Sequence, residues 1–133
     1  MLQFHAWESM KRERPMVLRI LVAEDEYVTA YDLCDTFEEA GYEVEGPHAG
    51  ISSTMLACQK EKPDLAVLDI ELCDGLTYEL ARKLLDDNVP VILHSAGADA
   101  VEMAARFPGA TMLAKPCPPA KLLDTVNRVL CPV

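Results

Sequence analysis

Apolar positions along this chain alternate between two spacings. Nearly unbroken apolar runs cover 18–23, 65–68, 89–93 and 110–114. Runs of this length, rich in Val, Ile and Leu, predict strands buried on both faces. Between them apolar residues recur at three- and four-residue intervals, which predicts helices with one buried face. Ala30, Leu33, Cys34, Phe37 and Ala40 mark a helix over 27–40, and Gly41 stops it as a glycine beyond a helix end does. A short strand over 42–45 follows with Val44 inward, then a loop at 46–50. Met55, Leu56 and Gln59 fall together on a helix over 52–61 that Ser52 or Ser53 is placed to cap. After the strand at 65–69 and a loop at 71–75, Leu76, Leu80, Ala81 and Leu84 predict a helix over 76–86. Asn88 separates it from a strand over 90–94. A short helix over 98–106, a strand over 110–114 and a helix over 120–130 with Leu122, Leu123 and Val126 complete the chain.

Five strand–helix units in alternation predict an α/β fold. Right-handed crossovers then give a parallel five-stranded sheet with helices on both faces. In such a sheet the residues that follow the strands gather at one edge, where open α/β sheets keep their working groups. Here they are Glu24, Asp25 and Glu26 after the first strand, Asp69 at the end of the third, His94 and Ser95 at the end of the fourth, and Lys115–Pro116 after the fifth. Any one of them has a plainer reading. Asp69 serves as a loop cap, an acid run as solvated loop, Lys115 as a surface lysine and Ser95 as a turn cap. Four strand ends carrying complementary chemistry make the site reading the stronger one. Strand alternation turns His94 away from Ser95, so packing beside the site is its expected role. His48 is a loop residue with no evident partner.

The 133 residues suffice for one domain with a substantial core. A formal net charge of −10 opposes binding along a nucleic-acid backbone. Cys34, Cys58, Cys73, Cys117 and Cys131 are odd in number and lack a Cys-x-x-Cys pair, so reduced, mostly buried thiols and a cytoplasmic location are expected rather than a disulfide framework or a zinc site. No run is long enough to cross a bilayer, and the start lacks the pattern of a secretory signal. Residues 1–16, with Lys11-Arg12-Glu13-Arg14-Pro15 and scattered Phe4 and Trp7, have no clear period. They are expected to be a poorly ordered extension to a domain over 17–131, or an arm that docks through Phe4 and Trp7.

Glu24, Asp25 and Asp69 are hard oxygen donors suited to Mg²⁺, which keeps several waters and takes few protein ligands. Without a cation, two such charges about 4 Å apart repel by roughly 4 kcal/mol at an effective dielectric of 20. Lys115 can neutralise a phosphoryl oxygen or pair with Asp69, and Ser95 can donate one hydrogen bond to such an oxygen. The set describes phosphoryl transfer to the Asp69 carboxylate, in which positioning and charge neutralisation carry the catalysis.

Leu21-Val22-Ala23-Glu24-Asp25-Glu26, Val67-Leu68-Asp69-Ile70, His94-Ser95-Ala96 and Lys115-Pro116 together resemble the receiver domain of two-component response regulators over about residues 17–131. The resemblance implies a (βα)₅ flavodoxin-like fold and phosphorylation of Asp69 by a sensor histidine kinase or histidine phosphotransfer protein. It implies Mg²⁺ held by Glu24, Asp25, Asp69 and the backbone carbonyl of Glu71, with Ser95 and Lys115 sensing the phosphoryl group and a cis Lys115–Pro116 bond. It implies a signalling protein that catalyses only its own phosphorylation and dephosphorylation. The predicted last helix ends near residue 130, which leads to the expectation of a stand-alone, single-domain regulator. Its downstream protein target, or a second copy, would bind through the last helices, where Met103, Phe107, Leu122 and Val126 lie. No nucleic acid or membrane partner is expected.

The chain departs from the family pattern at several points. Leu72-Cys73-Asp74-Gly75 forms a shorter loop without the Met-Pro of many receivers. Met112 stands three residues before Lys115, where an aromatic switch residue is usual, and is expected to pack as core. Cys117 replaces a common Phe. The Gly46-Pro47 pair and Asp69-Ile70-Glu71-Leu72 resemble a subgroup of stand-alone receivers common in alphaproteobacteria. Two other classes fit parts of the pattern. A haloacid-dehalogenase-type phosphatase also uses Asp, Mg²⁺ and Lys, but needs a second Asp where this chain has Glu71. A pseudo-receiver would bind a partner without phosphorylation.

Overall fold

The structure is a computed structural model that describes residues 17–96 and 100–131. The expected extension over 1–16 and the start of the helix expected over 98–106 lie outside the described residues. The sheet is built from β1 (Arg19–Ala23), β2 (Glu43–His48), β3 (Leu65–Asp69), β6 (Val91–Ser95) and β7 (Thr111–Ala114). A two-stranded hairpin, β4 (Glu71–Leu72) with β5 (Gly75–Leu76), follows β3. The helices are α1 (Tyr27–Glu39), α2 (Ile51–Lys60), α3 (Tyr78–Asp86), α4 (Ala100–Arg106) and α5 (Pro119–Leu130).

β3 is central because its Leu65–Leu68 run is buried on both faces. The strands pair in parallel in the order β2-β1-β3-β6-β7. Alternation along each strand divides the core in two. Leu21, Ala66, Leu68, Val91 and Leu93 face Ala57 of α2, Leu80 and Leu84 of α3, and Met103 of α4. Ile20, Val22, Val67, Ile92 and Leu113 face Leu33 and Phe37 of α1 and Leu122 and Val126 of α5. A fully buried side chain of this kind contributes about 1.5–3 kcal/mol, so the two layers hold the sheet from both sides. This is the five-stranded, five-helix flavodoxin-like arrangement expected from the sequence.

Local boundaries differ in instructive ways. β2 continues through Gly46-Pro47-His48, which composition reads as loop. Gly46 permits this: its φ is +125°, and a Cβ there would lie 2.5 Å from the Val22 carbonyl oxygen of the adjoining strand. The Gly46–Pro47 and Lys115–Pro116 bonds are both cis. The segment expected as a loop at 71–75 includes the β4–β5 hairpin, and α3 starts only at Tyr78, leaving Leu76 half exposed. α2 is not capped by its own serines. Asp74 reaches across from the hairpin and accepts hydrogen bonds from the Ile51 and Ser52 amides at 2.6 and 3.3 Å. His48 has a partner after all, Glu45, at 3.0 Å. Met103, Phe107, Leu122 and Val126, the apolar residues expected on the docking face of the last helices, are all buried and form core instead. Among the described residues no helix is long and apolar enough to cross a membrane.

Candidate functional site

The strand order reverses direction between β1 and β3, and in open α/β sheets the crevice at the carboxyl ends of such strands is where ligands bind. Glu24 directly follows β1 and Asp69 ends β3. Both stand on the α1–α5 side of the sheet, because Val22 and Val67 two residues earlier do. Asp25 follows at the exposed rim. Ligand oxygens of Glu24, Asp25 and Asp69 all lie within 4.8 Å of one another.

Lys115, just beyond β7, enters this cluster. Its Nζ donates a hydrogen bond to Asp69 Oδ2 at 2.9 Å and approaches Glu24 Oε1 at 2.7 Å. Among the described residues this close contact with the ammonium is what compensates the buried Glu24 Oε1. The other oxygens have backbone partners, the Glu26 amide on Glu24 Oε2 at 3.1 Å and the Ile70 amide on Asp69 Oδ1 at 2.8 Å. Burial raises the Glu24 carboxyl above its usual range, with Lys115 opposing. Burial also pulls the Lys115 ammonium down, but hydrogen bonds and charge from Glu24 and Asp69 outweigh it and leave it raised. The lysine thus stays charged and is shared between the two carboxylates.

Ser95 ends β6 and is buried, and its carbonyl accepts the Lys115 amide at 2.8 Å, fastening the ends of β6 and β7 together. Met112 packs partly buried against the α2–α4 side of the core, as expected. Glu71 sits exposed in β4, two residues past Asp69. His94 faces the α1–α5 side, opposite to Ser95, as alternation predicts. It is buried, its Nδ1 lies 3.9 Å from Glu24 Oε1, and among the described residues neither ring nitrogen has a hydrogen-bond partner. Burial first, then the Lys115 charge, pulls the imidazole down to about 4, so it is neutral near pH 7.

One supporting residue escaped the sequence reading. Thr77 is fully buried ahead of α3, and its hydroxyl lies 2.7 Å from the Asp69 carbonyl and 3.0 Å from that of Ile70. Its amide donates to the Ile70 carbonyl at 2.9 Å. The turn after Asp69 is therefore fixed from below. The sequence reading places Thr77 inside the helix expected over 76–86, where a threonine gives no signal of a brace beneath Asp69; the structure starts that helix at Tyr78.

The donor set fits a hard divalent cation. Three carboxylates converge, one is exposed toward solvent, and among the described residues the buried Glu24 Oε1 has no hydrogen-bond partner other than the Lys115 ammonium it shares with Asp69.

Residues 20–127 match the family described as response regulator receiver domain. The chain is 29% identical over 115 residues to the transcriptional regulatory protein PdtaR of Mycobacterium tuberculosis, covering 82% of this chain and 55% of that protein. It thus spans about half the length of that relative. It is 27% identical over 115 residues to the chemotaxis protein CheY of Thermotoga maritima, covering 84% of this chain and 96% of that one. The crystal structure of a response regulator receiver protein from Sinorhizobium medicae superposes with a TM-score of 0.76 at 28% identity, covering 86% of this chain and 95% of the other.

Proposed function

The chain belongs to the response regulator receiver domain family of two-component signalling, and from that membership we propose that it is a phosphorylation switch whose acceptor is Asp69. The observation that carries the reading is the Lys115 ammonium held between Asp69 and Glu24 at the carboxyl edge of the sheet. In the proposed transfer, the P–N bond of a phosphohistidine on the donor breaks as a P–O bond forms to an Asp69 carboxylate oxygen. The donor is a sensor histidine kinase or a histidine phosphotransfer protein. Asp69 supplies the nucleophile, and the Ile70 amide and the Thr77 brace fix its orientation. Lys115 moves from the carboxylates toward the new phosphoryl oxygens, and Ser95 donates its hydroxyl to one of them. Glu24, Asp25, Asp69 and the Glu71 carbonyl are the proposed Mg²⁺ ligands. A bound Mg²⁺ would supply neutralisation of the crowded negative charge and orientation of a phosphoryl oxygen.

The phosphorylated state alters binding to a downstream protein. If a second copy or a target docks on the last helices, it meets residues such as the exposed Val101 rather than the buried Met103, Phe107, Leu122 and Val126. The test is the intact mass after incubation with acetyl phosphate, with and without Mg²⁺. One added phosphoryl group that requires both Mg²⁺ and Asp69 is the expected result. Full labelling of Asp69→Asn would overturn the assignment of the acceptor. No labelling of folded wild type by acetyl phosphate or by a phosphorylated donor would favour a phosphorylation-independent binding module.

A further inference from the structure

Two buried polar groups face one another across a gap at the floor of the site. His94 Nδ1 and Glu24 Oε1 are 3.9 Å apart; among the described residues neither His94 ring nitrogen has a hydrogen-bond partner, and Glu24 Oε1 is held by the Lys115 ammonium at 2.7 Å. His94 is 3% exposed, and the Glu24 side chain 1%. Leaving buried polar atoms unpaired is expensive, of the order of 1–3 kcal/mol each. Such a cost is usually recovered in another state of the same site. Lys115 keeps the gap open: it satisfies Glu24 Oε1 by charge from 2.7 Å while donating its hydrogen bond to Asp69. Once Lys115 is drawn to a phosphoryl oxygen, Glu24 Oε1 loses its ammonium contact, and among the described residues His94 Nδ1, 3.9 Å away, stands beside it as a donor. A neutral imidazole carries one N–H and can supply it without exchanging a proton. The pairing geometry favours this, because Asp69 and His94 are register partners on adjacent strands and project on the same side of the sheet.

We propose that His94 is a positioning residue that takes over Glu24 when Lys115 leaves it, through a hydrogen bond from Nδ1–H to Oε1. The inference rests on the receiver reading of the Asp69 site and adds a residue to it. Closing the gap requires a shift of about 1 Å to reach hydrogen-bond distance, within the reach of a side-chain adjustment. The bond holds Glu24 in its cation-facing orientation while Lys115 is engaged elsewhere.

The experiment uses the full chain and three measurements on wild type, His94→Leu and His94→Asn. Leucine removes the donor and keeps the bulk, whereas the asparagine amide retains a donor near the position of Nδ1. The Mg²⁺ dissociation constant is read from amide shifts in the presence of acetyl phosphate. The imidazole nitrogens of the wild type are read by long-range ¹H–¹⁵N spectra, with the His94 signals identified by their loss in the variants. Thermal stability without Mg²⁺ is the control. The expected result is about tenfold weaker Mg²⁺ binding in His94→Leu, recovery in His94→Asn, and no loss of stability without Mg²⁺. On adding Mg²⁺ and acetyl phosphate, wild-type Nδ1 becomes the protonated, hydrogen-bonded nitrogen. Affinity in His94→Leu within twofold of wild type, equal loss in both variants, or an imidazole spectrum unchanged by both additions would each overturn the proposal. Should His94→Leu fail to fold, the wild-type imidazole spectrum and His94→Asn still decide it. Failure of the receiver reading looks different, because wild type itself would then take up neither Mg²⁺ nor a phosphoryl group.

Discussion

Replacing Lys115 by Ala exposes the charge balance of the site. The ammonium lies 2.7 Å from Glu24 and 2.9 Å from Asp69, and those carboxylates have oxygens within 4.8 Å of one another. Without the lysine, two like charges at that separation repel by roughly 3–4 kcal/mol at an effective dielectric of 20. Protonation of the more buried acid limits the cost, since a carboxyl that cannot be compensated shifts its pKa rather than remain charged. Glu24 is the acid that takes the proton, because burial already raises it in the wild type. A net loss of about 3 kcal/mol corresponds to a melting temperature about 12 °C lower in a domain of this size. The sign of the pH effect follows from linkage. A carboxyl raised in the folded state costs stability at high pH, and that cost disappears as pH falls through its folded pKa. The Lys115→Ala deficit, read by circular dichroism, should therefore shrink as pH falls from neutral toward the ordinary carboxylate range. It should also shrink when Mg²⁺ is added at pH 7, because a cation bound only to the folded state stabilises it by mass action. A melting temperature within about 2 °C of wild type, or a deficit indifferent to both pH and Mg²⁺, would refute this account of the cluster.

Other parts of the chain give independent checks. Gly46→Ala places a Cβ 2.5 Å from the Val22 carbonyl in a backbone of φ +125°, and should cost about 2 kcal/mol or more in a urea titration; a neutral result would show that β2 can separate from β1 there. Asp74→Ala should lower the melting temperature and speed hydrogen exchange at the Ile51 and Ser52 amides. The Ile51 amide bond chiefly lowers the Asp74 carboxyl, so its stabilising effect is present at neutral pH and lost as pH falls below the ordinary carboxylate range; unchanged exchange in the variant would show that the cap is idle. Burial, aided by Glu38 and Asp35, pushes the Cys34 thiol up to about 11, so mass spectrometry of native protein alkylated near pH 7 should find exposed Cys73 and Cys131 modified well before it. Early labelling of Cys34 would contradict the packing assigned to α1.

The parts of this molecule that were legible in the sequence are those governed by one strong local rule. Leu65–Asp69 appears in the structure with the bounds its apolar run predicts, because a strand buried on both faces admits only apolar residues. The carboxylates and the lysine were legible because a parallel sheet sends every strand end to one edge, so their meeting at Lys115 follows from topology. Elements that depend on a distant partner were not. Gly46-Pro47-His48 reads as loop until the proximity of β1 explains why a glycine allows the strand to continue. The serines ahead of α2 look like caps, but Asp74, more than twenty residues away in sequence, occupies the amides. The period that placed Leu76 on the α3 stripe could not reveal the hairpin that withdraws it. The four apolar residues proposed for the last-helix surface obey the helical period equally well whether they face a partner or the core, and burial alone decides for the core.

Charge bookkeeping then explains why so acidic a cluster can end a hydrophobic sheet. Glu24 and Asp69 are substantially enclosed, and Lys115 compensates one of their two charges, leaving a single negative charge in the interior part of the site. Asp25 adds a second at the exposed rim, where water screens it. Among the described residues the cluster thus carries two uncompensated negative charges around one point, the charge that a divalent cation neutralises. An extra fixed cation at this edge would stabilise the empty site and oppose that binding. An extra carboxylate would strengthen it, at a greater cost to the fold when no cation is present. The neutral His94, buried beside Glu24, leaves this balance untouched while adding a donor. A lysine or arginine at position 94 would bring both a donor and a charge, and would compete with the cation for Glu24.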